Sequence, residues 1–303
     1  MCLKAPSKKW AKGLNMKLSK NFIEFLQSSK LVKITENGDL RIVKYAREVF
    51  FNNLWDDYLE YCRGLVFDKD FNIISLPFTK IYNYGIEENS PVVEDGKELV
   101  AFKKFNGFMV AVTAYNSKPL VSTTGSLTSS YVELAESLIT PRINEEILTN
   151  PNYTYLFECI HESDPHIIEE LDKGLICVGR RAKELGSKIE FSDEYLHPSV
   201  AASKLVCSIS ELKALVKVTK HEGFVFYWND SNSQFASKIK TPIYLITKFL
   251  ARTKKSFDKN SLSKYLFDEE YYGLIDYLLG FEGFFSLAER ERIKVIRNYF
   301  WTV

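Results

Sequence analysis

The sequence lacks a long apolar run, since no stretch approaches the roughly 18 consecutive apolar residues that a membrane-spanning helix needs. Residues 1–20 are basic and have no apolar centre, which excludes a secretory signal of the usual kind. We therefore expect a soluble, cytoplasmic protein that has no membrane partner.

Net charge is nearly absent as well. Lysine and arginine together number 40, against 39 aspartate and glutamate residues. A protein that coats nucleic acid through bulk positive charge is thereby excluded, because such binding depends on a large basic excess. A nucleic-acid enzyme remains compatible with this sum, since a local basic groove does not show in a net charge.

Paired cysteines are also missing. The number of cysteines is odd and no two of them form a C-x-x-C pair; they are Cys2, Cys62, Cys159, Cys177 and Cys207. This pattern predicts free thiols in a reducing compartment. With 303 residues, of which 46% are hydrophobic, the chain can bury a substantial core, which excludes a disordered protein.

Hydrophobic periodicity divides the chain near residue 250. The first part combines amphipathic helices at 19–29 and 130–138 with many strand-like runs, which predicts an α+β body. The strand-like runs are 63–68, 98–105, 108–115, 119–123, 153–160, 174–178, 223–228 and 234–240. Between two of these runs, Asn106-Gly107 is typical of a tight β-hairpin turn.

The remainder of the chain has helical spacing, with the clearest helices at 271–279 and 287–300. Its many aromatic residues are more typical of a helical core than of a base-stacking surface. We therefore predict a small helical domain at 251–303 after a larger domain at 1–250.

The most informative segment is Lys104-Phe105-Asn106-Gly107, which lies between two strand-like runs. A lysine at a strand end beside a tight turn can be held rigidly while its amine points into a cleft. Such an amine is a nucleophile only when deprotonated, so we expect its pKa to fall from about 10.4 towards neutrality. Lys-x-x-Gly is common, however, and also occurs at 183–186 and 220–223, so its neighbours must decide the interpretation.

Those neighbours are charged residues at the edges of apolar strands, where each can project into a shared cleft. They are Arg63, Lys80, Glu158, Glu222, Lys238 and Lys240. Lys238 and Lys240 lie two apart on one predicted strand, so they face the same side, and such a cationic pair suits a triphosphate. Taken singly, each residue also has a structural explanation as an ordinary surface charge.

Taken in order, these residues resemble the motifs of covalent nucleotidyltransferases, the superfamily of ligases and capping enzymes. The matching motifs are K-x-(D/N)-G at 104–107, F-E at 157–158, E-G-(F/Y)-V at 222–225 and K-x-K at 238–240. More narrowly, the chain resembles the tRNA-repairing RNA ligases of T-even bacteriophages and their relatives over residues 61–249. That narrower match rests on R-G-x-x-F at 63–67, on the Pro-Phe-x-Lys segment at 77–83, and on Tyr244 after K-x-K.

The resemblance implies a nucleotidyltransferase (adenylyltransferase) domain of antiparallel sheets with flanking helices, followed by a small all-helical C-terminal domain. It implies an ATP-dependent RNA ligase that joins 3′-hydroxyl and 5′-phosphate ends through a lysyl-AMP at Lys104 and an adenylylated RNA 5′ end. AMP and diphosphate are the released products. The implied partners are RNA, above all a tRNA broken in its anticodon loop, and a separate polynucleotide kinase/phosphatase, in a virus-infected host cell.

The resemblance also implies a role for each site residue. Lys238 and Lys240 hold the α-phosphate, while Arg63 and Lys80 bind the outgoing phosphates. The remaining members of the ATP site are Asn106, Gly107, Glu158 at the ribose or a metal-linked water, and Tyr244 at the phosphates. Glu222 holds the divalent ion, Mg²⁺ or Mn²⁺, because hard cations prefer carboxylate oxygens.

Two positions depart from the family pattern. Asn106 stands where the motif usually has aspartate, so the hydrogen-bonding shape is kept and the charge is lost. Thr124 stands nearest a position where the phage enzyme has a phosphate-contacting lysine.

Two other functions are compatible with parts of the pattern. An mRNA guanylyltransferase or a DNA ligase usually needs an OB-fold of roughly 80 or more residues after K-x-K, whereas the residues after Lys240 are predicted to be helical. A catalytically inactive RNA-binding relative is disfavoured because Lys104 and the charged motif residues occur together. The cluster at 161–166 lacks the H-E-x-x-H spacing of a metal site and is predicted to be a loop.

Overall fold

The computed structural model describes residues 16–253, except 88, 165, 231 and 232, and residues 271–302. Cys2, Pro165 and the beginning of the expected C-terminal domain at 254–270 lie outside the described residues. The other cysteines are free thiols, in agreement with the expectation. None of the helices in the described ranges has the length and apolar character of a membrane span.

The chain forms two compact units. The first comprises residues 1–80, 110–156 and 179–191, and the second comprises residues 81–109, 157–178 and 192–303. The domain boundary expected near residue 250 remains a prediction.

The first unit contains a four-stranded antiparallel sheet in the order β1-β2-β3-β4. Its strands are β1 Val32–Asn37, β2 Leu40–Tyr45, β3 Arg63–Asp68 and β4 Ile73–Ser75. Helix α1, Lys20–Ser28, begins after Ser19, whose side chain accepts a hydrogen bond from the Phe22 amide. Phe22 and Leu26 of this helix lie in one core cluster with Leu65 of the sheet.

A second sheet has five strands in the order β11-β10-β9-β7-β8. These strands are β7 Phe108–Tyr115, β8 Lys118–Ser122, β9 Tyr153–Ile160, β10 Gly174–Ala182 and β11 Ile189–Glu190. Helices α2 Arg47–Phe51, α3 Ser130–Ser137 and α4 Pro141–Thr149 also belong to the first unit. The sequence pattern predicted α3 and β9 closely, but it did not predict α4.

The third sheet lies in the second unit, has the order β12-β6-β13-β14-β5, and carries most of the sequence motifs. Its strands are β5 Tyr82–Asn83, β6 Leu99–Lys103, β12 Leu205–Cys207, β13 Gly223–Asp230 and β14 Ser233–Lys240. All pairings are antiparallel except that of β5 with β14. Alternate residues of β6 and β13, among them Ala101 and Phe226, are buried in a core with Leu212 of helix α6. The helices of this part are α5 Pro198–Ala202 and α6 Ile209–Val218.

The C-terminal part is helical, as expected, with α7 Pro242–Arg252, α8 Tyr272–Gly280 and α9 Glu289–Thr302. Apolar side chains from all three helices, including Leu250, Leu274 and Ile293, form one core cluster. Most of the described aromatic residues of this part pack against that cluster, which supports their interpretation as core. Tyr277 and Phe281 are the more exposed ones.

The expected hairpin at Asn106-Gly107 is wrong. Strand β6 pairs with β12 and β13, whereas β7 pairs with β8, so the two strands that flank these residues belong to different sheets. A type I′ turn needs positive φ at both central residues, and neither Asn106 nor Gly107 has it. The two-residue turn of this kind lies instead at Asn116 and Ser117, with φ of 48° and 59°, between β7 and β8.

Alanine at Gly223 is expected to destabilise the second unit. Gly223 has a φ of +146°, and an added Cβ would lie 2.1 Å from the Ile239 carbonyl oxygen and 2.8 Å from the Lys240 Cα. Because both neighbours are backbone atoms of the paired strand, we expect Gly223→Ala to lower the free energy of unfolding by roughly 3 kcal/mol. Urea unfolding measures this difference.

The matched control is Gly280→Ala in α8, where an added Cβ meets no atom within 4 Å. Alanine is a better helix former than glycine, so this variant should be as stable as the parent or more so. Equal stability of the two variants would contradict the close approach of β13 and β14 at Gly223.

Candidate active site

Lys104 follows directly after β6, where its amide donates to the Gly223 carbonyl oxygen at 2.8 Å. That bond continues the β6–β13 pairing, which ends with Lys103 opposite Phe224. The side chain of Lys104 is 21% exposed. The lysine therefore has the placement predicted from the sequence: a rigid strand end with a side chain that is largely buried.

Two carboxylates surround the Lys104 amine. Its Nζ lies 3.1 Å from Glu222 Oε2, and the charge of Glu158, on β9, also acts strongly on it. Burial alone lowers the pKa of Lys104, but Glu158 and then Glu222 outweigh burial, so the pKa is raised above its ordinary value. The expected fall in the pKa of Lys104 is absent from this structure, because the neighbouring acidic groups stabilise the protonated form of the amine.

Glu222 also binds the second lysine of the K-x-K motif. Its Oε1 lies 3.5 Å from Lys240 Nζ, and the Glu222 side chain is only 3% exposed. Burial lowers the pKa of Lys240 to about 8, and the charges of Lys248 and Lys104 act in the same direction, while Glu222 opposes them. Lys238 lies two residues earlier on the same strand, opposite Val225.

Asn106 is held by three hydrogen bonds from different segments. Its side-chain Nδ2 donates to Glu222 Oε2 at 2.7 Å, and its Oδ1 accepts from the Ile168 amide at 2.9 Å. Its backbone amide donates to Glu170 Oε1 at 3.1 Å. An aspartate could not donate to Glu222, so the departure from the family motif has a local structural reason.

Gly107 is fixed by a hydrogen bond to Glu158 and by the close approach of the β9 backbone. Its amide donates to Glu158 Oε1 at 3.0 Å. An added Cβ would lie 2.2 Å from the Cys159 carbonyl oxygen. The glycine of the motif is therefore needed here for space and not for a turn.

The sequence patterns missed Glu170 and Lys103, which form a partly buried ion pair at 2.5 Å beside the lysine. Glu170 is 1% exposed at its side chain and also binds the Asn106 amide. No sequence signal distinguished Glu170 from its neighbour Glu169, because its partners come from distant segments.

Tyr244 lies at the start of α7, where the Thr241 side chain accepts a hydrogen bond from its amide. Lys240 Nζ lies 4.8 Å from the centre of its ring. Burial raises the pKa of the Tyr244 hydroxyl to about 12, and the Glu222 charge adds to this shift. One turn further, Lys248 Nζ lies 5.7 Å from the same ring; its i+4 spacing from Tyr244 is the sequence signal by which this lysine could have been found.

The structure thus gathers Lys104, Asn106, Gly107, Glu158, Glu222, Lys240 and Tyr244 within the second unit. Arg63 and Lys80 belong to the first unit. The guanidinium carbon of Arg63 lies 5.7 Å from the Tyr45 ring centre, and Lys80 Nζ lies 4.7 Å from the Trp55 ring centre.

A sequence model of the RNA ligase family matches residues 61–244, which include every site residue expected from the sequence. The chain belongs to the RNA ligase family. The expected resemblance to this family is thereby confirmed. A search of curated proteins finds no significant match.

The fold of this chain is similar to the folds of solved ligase structures. A putative ATP-dependent DNA ligase from Aquifex aeolicus has a TM-score of 0.52 at 17% identity, over 93% of this chain and 79% of that one. An archaeal ATP-dependent RNA ligase has a TM-score of 0.52 at 14% identity in its form 2, over 93% of this chain and 75% of that one. Its form 1 has a TM-score of 0.53 at 15% identity, over 92% and 70%. These similarities confirm the expected α+β fold of a ligase nucleotidyltransferase domain.

Aspartate at position 106 is expected to destabilise this member of the RNA ligase family in a pH-dependent way. Asn106→Asp would place a second carboxylate about 3 Å from Glu222, and two such groups cannot both ionise without strong repulsion. We expect a loss of about 3 kcal/mol in the free energy of unfolding at about pH 8. Repulsion raises the pKa of one carboxyl above its unfolded value near 4, so the folded variant binds more protons and its stability falls as the pH rises.

Urea unfolding at about pH 5.5 and about pH 8 measures the effect, which should be smaller at the lower pH. The control is Asn229→Asp, the same change at an exposed position of β13, which should alter stability by less than about 0.5 kcal/mol. A loss that does not depend on pH would contradict the pairing of position 106 with Glu222.

Proposed function

We propose that this protein is an ATP-dependent RNA ligase that joins 3′-hydroxyl and 5′-phosphate ends through a lysyl-AMP at Lys104. The observation that carries the proposal is the Lys104 amine at a rigid strand end, 3.1 Å from the buried Glu222, which also binds Lys240. Membership of the RNA ligase family supports RNA as the substrate. The solved structures of similar fold are described as ATP-dependent ligases, which supports ATP as the nucleotide.

In the first step, the Lys104 amine attacks the α-phosphorus of ATP. A nitrogen–phosphorus bond forms, the bond from the α-phosphorus to the bridging oxygen breaks, and diphosphate leaves. The amine first passes its proton to Glu222 Oε2, the carboxylate oxygen in contact with it at 3.1 Å. Lys238 and Lys240 stabilise the negative charge that develops on the α-phosphate, which is the main task of a protein in phosphoryl transfer.

The other site residues bind the remainder of the nucleotide. Arg63 and Lys80 take the outgoing phosphates, Tyr244 contacts the phosphates, and Glu158 takes the ribose or a metal-linked water. For Arg63 this role is supported by its buried Nε, which has no hydrogen-bond partner among the described residues. A buried donor of this kind is costly unless a ligand satisfies it.

Glu222 would hold a divalent ion, Mg²⁺ or Mn²⁺. The described residues contain no group of three or more His, Cys, Asp or Glu side chains that could hold a metal. Glu222 would therefore be the protein's carboxylate ligand, with few others beside it. That arrangement fits Mg²⁺, which commonly binds one or two carboxylates and completes its shell with phosphate oxygens and water. Such an ion would supply positive charge that offsets the acidic groups which raise the pKa of Lys104.

In the later steps, AMP passes from Lys104 to the 5′-phosphate of an RNA end, and a 3′-hydroxyl then displaces AMP to seal the strand. On the basis of the family resemblance, we propose a role in tRNA repair. The substrate would be a tRNA broken in its anticodon loop, whose ends a separate kinase/phosphatase has prepared. The described residues after β14 form helices, which favours an RNA ligase over a capping enzyme or DNA ligase with a following OB-fold. We also propose that residues 1–250 form the adenylyltransferase domain and 251–303 the helical domain.

Covalent labelling tests the proposed function. The protein is first treated with diphosphate, which removes any AMP already bound, and is then incubated with Mg²⁺ and ATP labelled at its α-phosphate. We expect a labelled band on a denaturing gel with ATP, no band with equally labelled GTP, and no band for Lys104→Ala, because Lys104 is the attachment point.

The matched control is Lys220→Ala, which removes the lysine of another Lys-x-x-Gly segment and should label like the parent. Labelling by GTP would indicate a capping-type enzyme. No label after diphosphate treatment would exclude the ligase and favour an RNA-binding relative without activity.

A further inference from the structure

One face of α7 extends the cationic side of the candidate active site. Tyr244, Lys248 and Arg252 are spaced four residues apart, so they lie on the same face of the helix. Each step of four residues advances about 6 Å along the helix axis. Lys240 and Lys248 lie 4.8 Å and 5.7 Å from the centre of the same Tyr244 ring. We call Lys248 and Arg252 the α7 cation line; its inner end lies beside Lys240.

Lys248 connects this line to the lysine nucleophile. Burial lowers the pKa of Lys248, the charges of Arg252 and Lys104 lower it further, and Glu222 opposes them. It pairs with no carboxylate among the described residues. Among the described residues, Lys248 is therefore a cation at the site that contacts the Tyr244 ring and forms no ion pair.

The outer end of the line borders a surface depression of about 380 Å³. Its lining residues are Leu245, Lys248, Phe249, Arg252 and Thr253. Two cations beside an aliphatic and an aromatic side chain form the combination with which proteins bind single-stranded nucleic acid: charge for the phosphates and apolar surface for a base. Arg252 is 50% exposed and forms an ion pair of 2.8 Å with Glu289, which is 36% exposed. Exposed pairs of this kind are weak, so a phosphate can replace Glu289 at small cost.

We propose that the α7 cation line binds consecutive phosphates of the RNA strand whose end is processed at Lys104. This inference rests on the proposed function and names the surface that holds its substrate. The helix face that carries the line runs about 12 Å from Tyr244 to Arg252 and ends beside apolar surface. An RNA strand fits that arrangement better than the triphosphate of ATP. The strand has a base for the apolar surface as well as phosphates for the cations, whereas the triphosphate has only phosphates. The rise of about 6 Å per helix step is comparable to the separation of phosphates in an extended strand.

The test compares two functions in the same variants: binding of a short, 5′-phosphorylated, fluorescently labelled single-stranded RNA, and covalent labelling of Lys104 by ATP. For Lys248→Ala and Arg252→Ala, we expect the Kd for RNA to rise about tenfold, because each variant lacks one charge-assisted hydrogen bond to a phosphate. The slope of log Kd against log salt concentration should fall in magnitude by about 0.7 for each phosphate that is no longer neutralised. The KM for ATP in Lys104 labelling should change much less than the Kd for RNA.

Glu289→Gln provides a change in the opposite direction. It removes the carboxylate that competes with phosphate for Arg252, so the Kd for RNA should fall by about twofold to fivefold. Tighter binding cannot arise from misfolding. The matched control is Lys217→Ala on the exposed side of α6, which should leave the Kd for RNA unchanged.

A rise in the KM for ATP with unchanged RNA affinity would overturn the proposal and assign the line to the triphosphate. An equal loss of RNA affinity in Lys217→Ala would overturn it as well, because the effect would then be one of general surface charge. Failure of Lys104 labelling in the parent protein would reject the proposed ligase function instead, and the RNA-binding comparison would still be readable.

Discussion

The site depends on one buried carboxylate. Glu222 is 3% exposed at its side chain, and its two oxygens bind Lys104 and Lys240 at 3.1 Å and 3.5 Å. Its Oε2 also accepts a hydrogen bond of 2.7 Å from Asn106. A buried carboxylate is tolerable only when it is paired and hydrogen-bonded, so Glu222 depends on these three groups, and they are held together by it. The same residue precedes Gly223, and its position is therefore coupled to the β13–β14 pairing.

The lysine segment is held by carboxylates and not by a turn. Glu170 binds the Asn106 amide, Glu222 binds the Asn106 side chain, and Glu158 binds the Gly107 amide. After Lys104, whose amide still continues the β6–β13 pairing, the chain leaves that sheet and the amides of Asn106 and Gly107 need other partners. Buried backbone amides need partners; Glu170 and Glu158 supply them, while Glu222 fixes the Asn106 side chain. Positioning of the nucleophile and satisfaction of the backbone are thus achieved by the same side chains.

The sequence predicted those features of this arrangement that follow from local periodicity. Apolar alternation located β9 and β13, and it placed Lys104 at a strand end. It missed β1, Val32–Asn37, because most residues of that strand are polar and exposed. It also missed α6, although Ser208 and Glu211 form a capping box with a recognisable spacing. The prediction of a hairpin at Asn106-Gly107 was wrong, because the two residues have other roles here. Asn106 donates hydrogen bonds to carboxylates that are distant in sequence, and Gly107 leaves space for the backbone of β9. The pKa of Lys104 could not be predicted, since its direction depends on Glu158 and Glu222, whose distances to the amine are set by the tertiary fold.

Charge balance explains why further cations matter around this cluster. Carboxylates balance the lysines of the cluster: Lys104 and Lys240 both contact Glu222, and Lys103 pairs with Glu170. An amide at position 106 preserves that balance, whereas a carboxylate would add a buried negative charge beside Glu222. Lysines that are already paired with carboxylates cannot by themselves neutralise the phosphates of a nucleotide or a strand. Additional positive charge would come from a divalent ion and from other cations of the second unit, namely Lys238 and the cations of α7. In such a site, the carboxylates stabilise the lysine when no substrate is present, and separate cations stabilise bound phosphates. Phosphate binding is therefore favourable without loss of the contacts that hold Lys104.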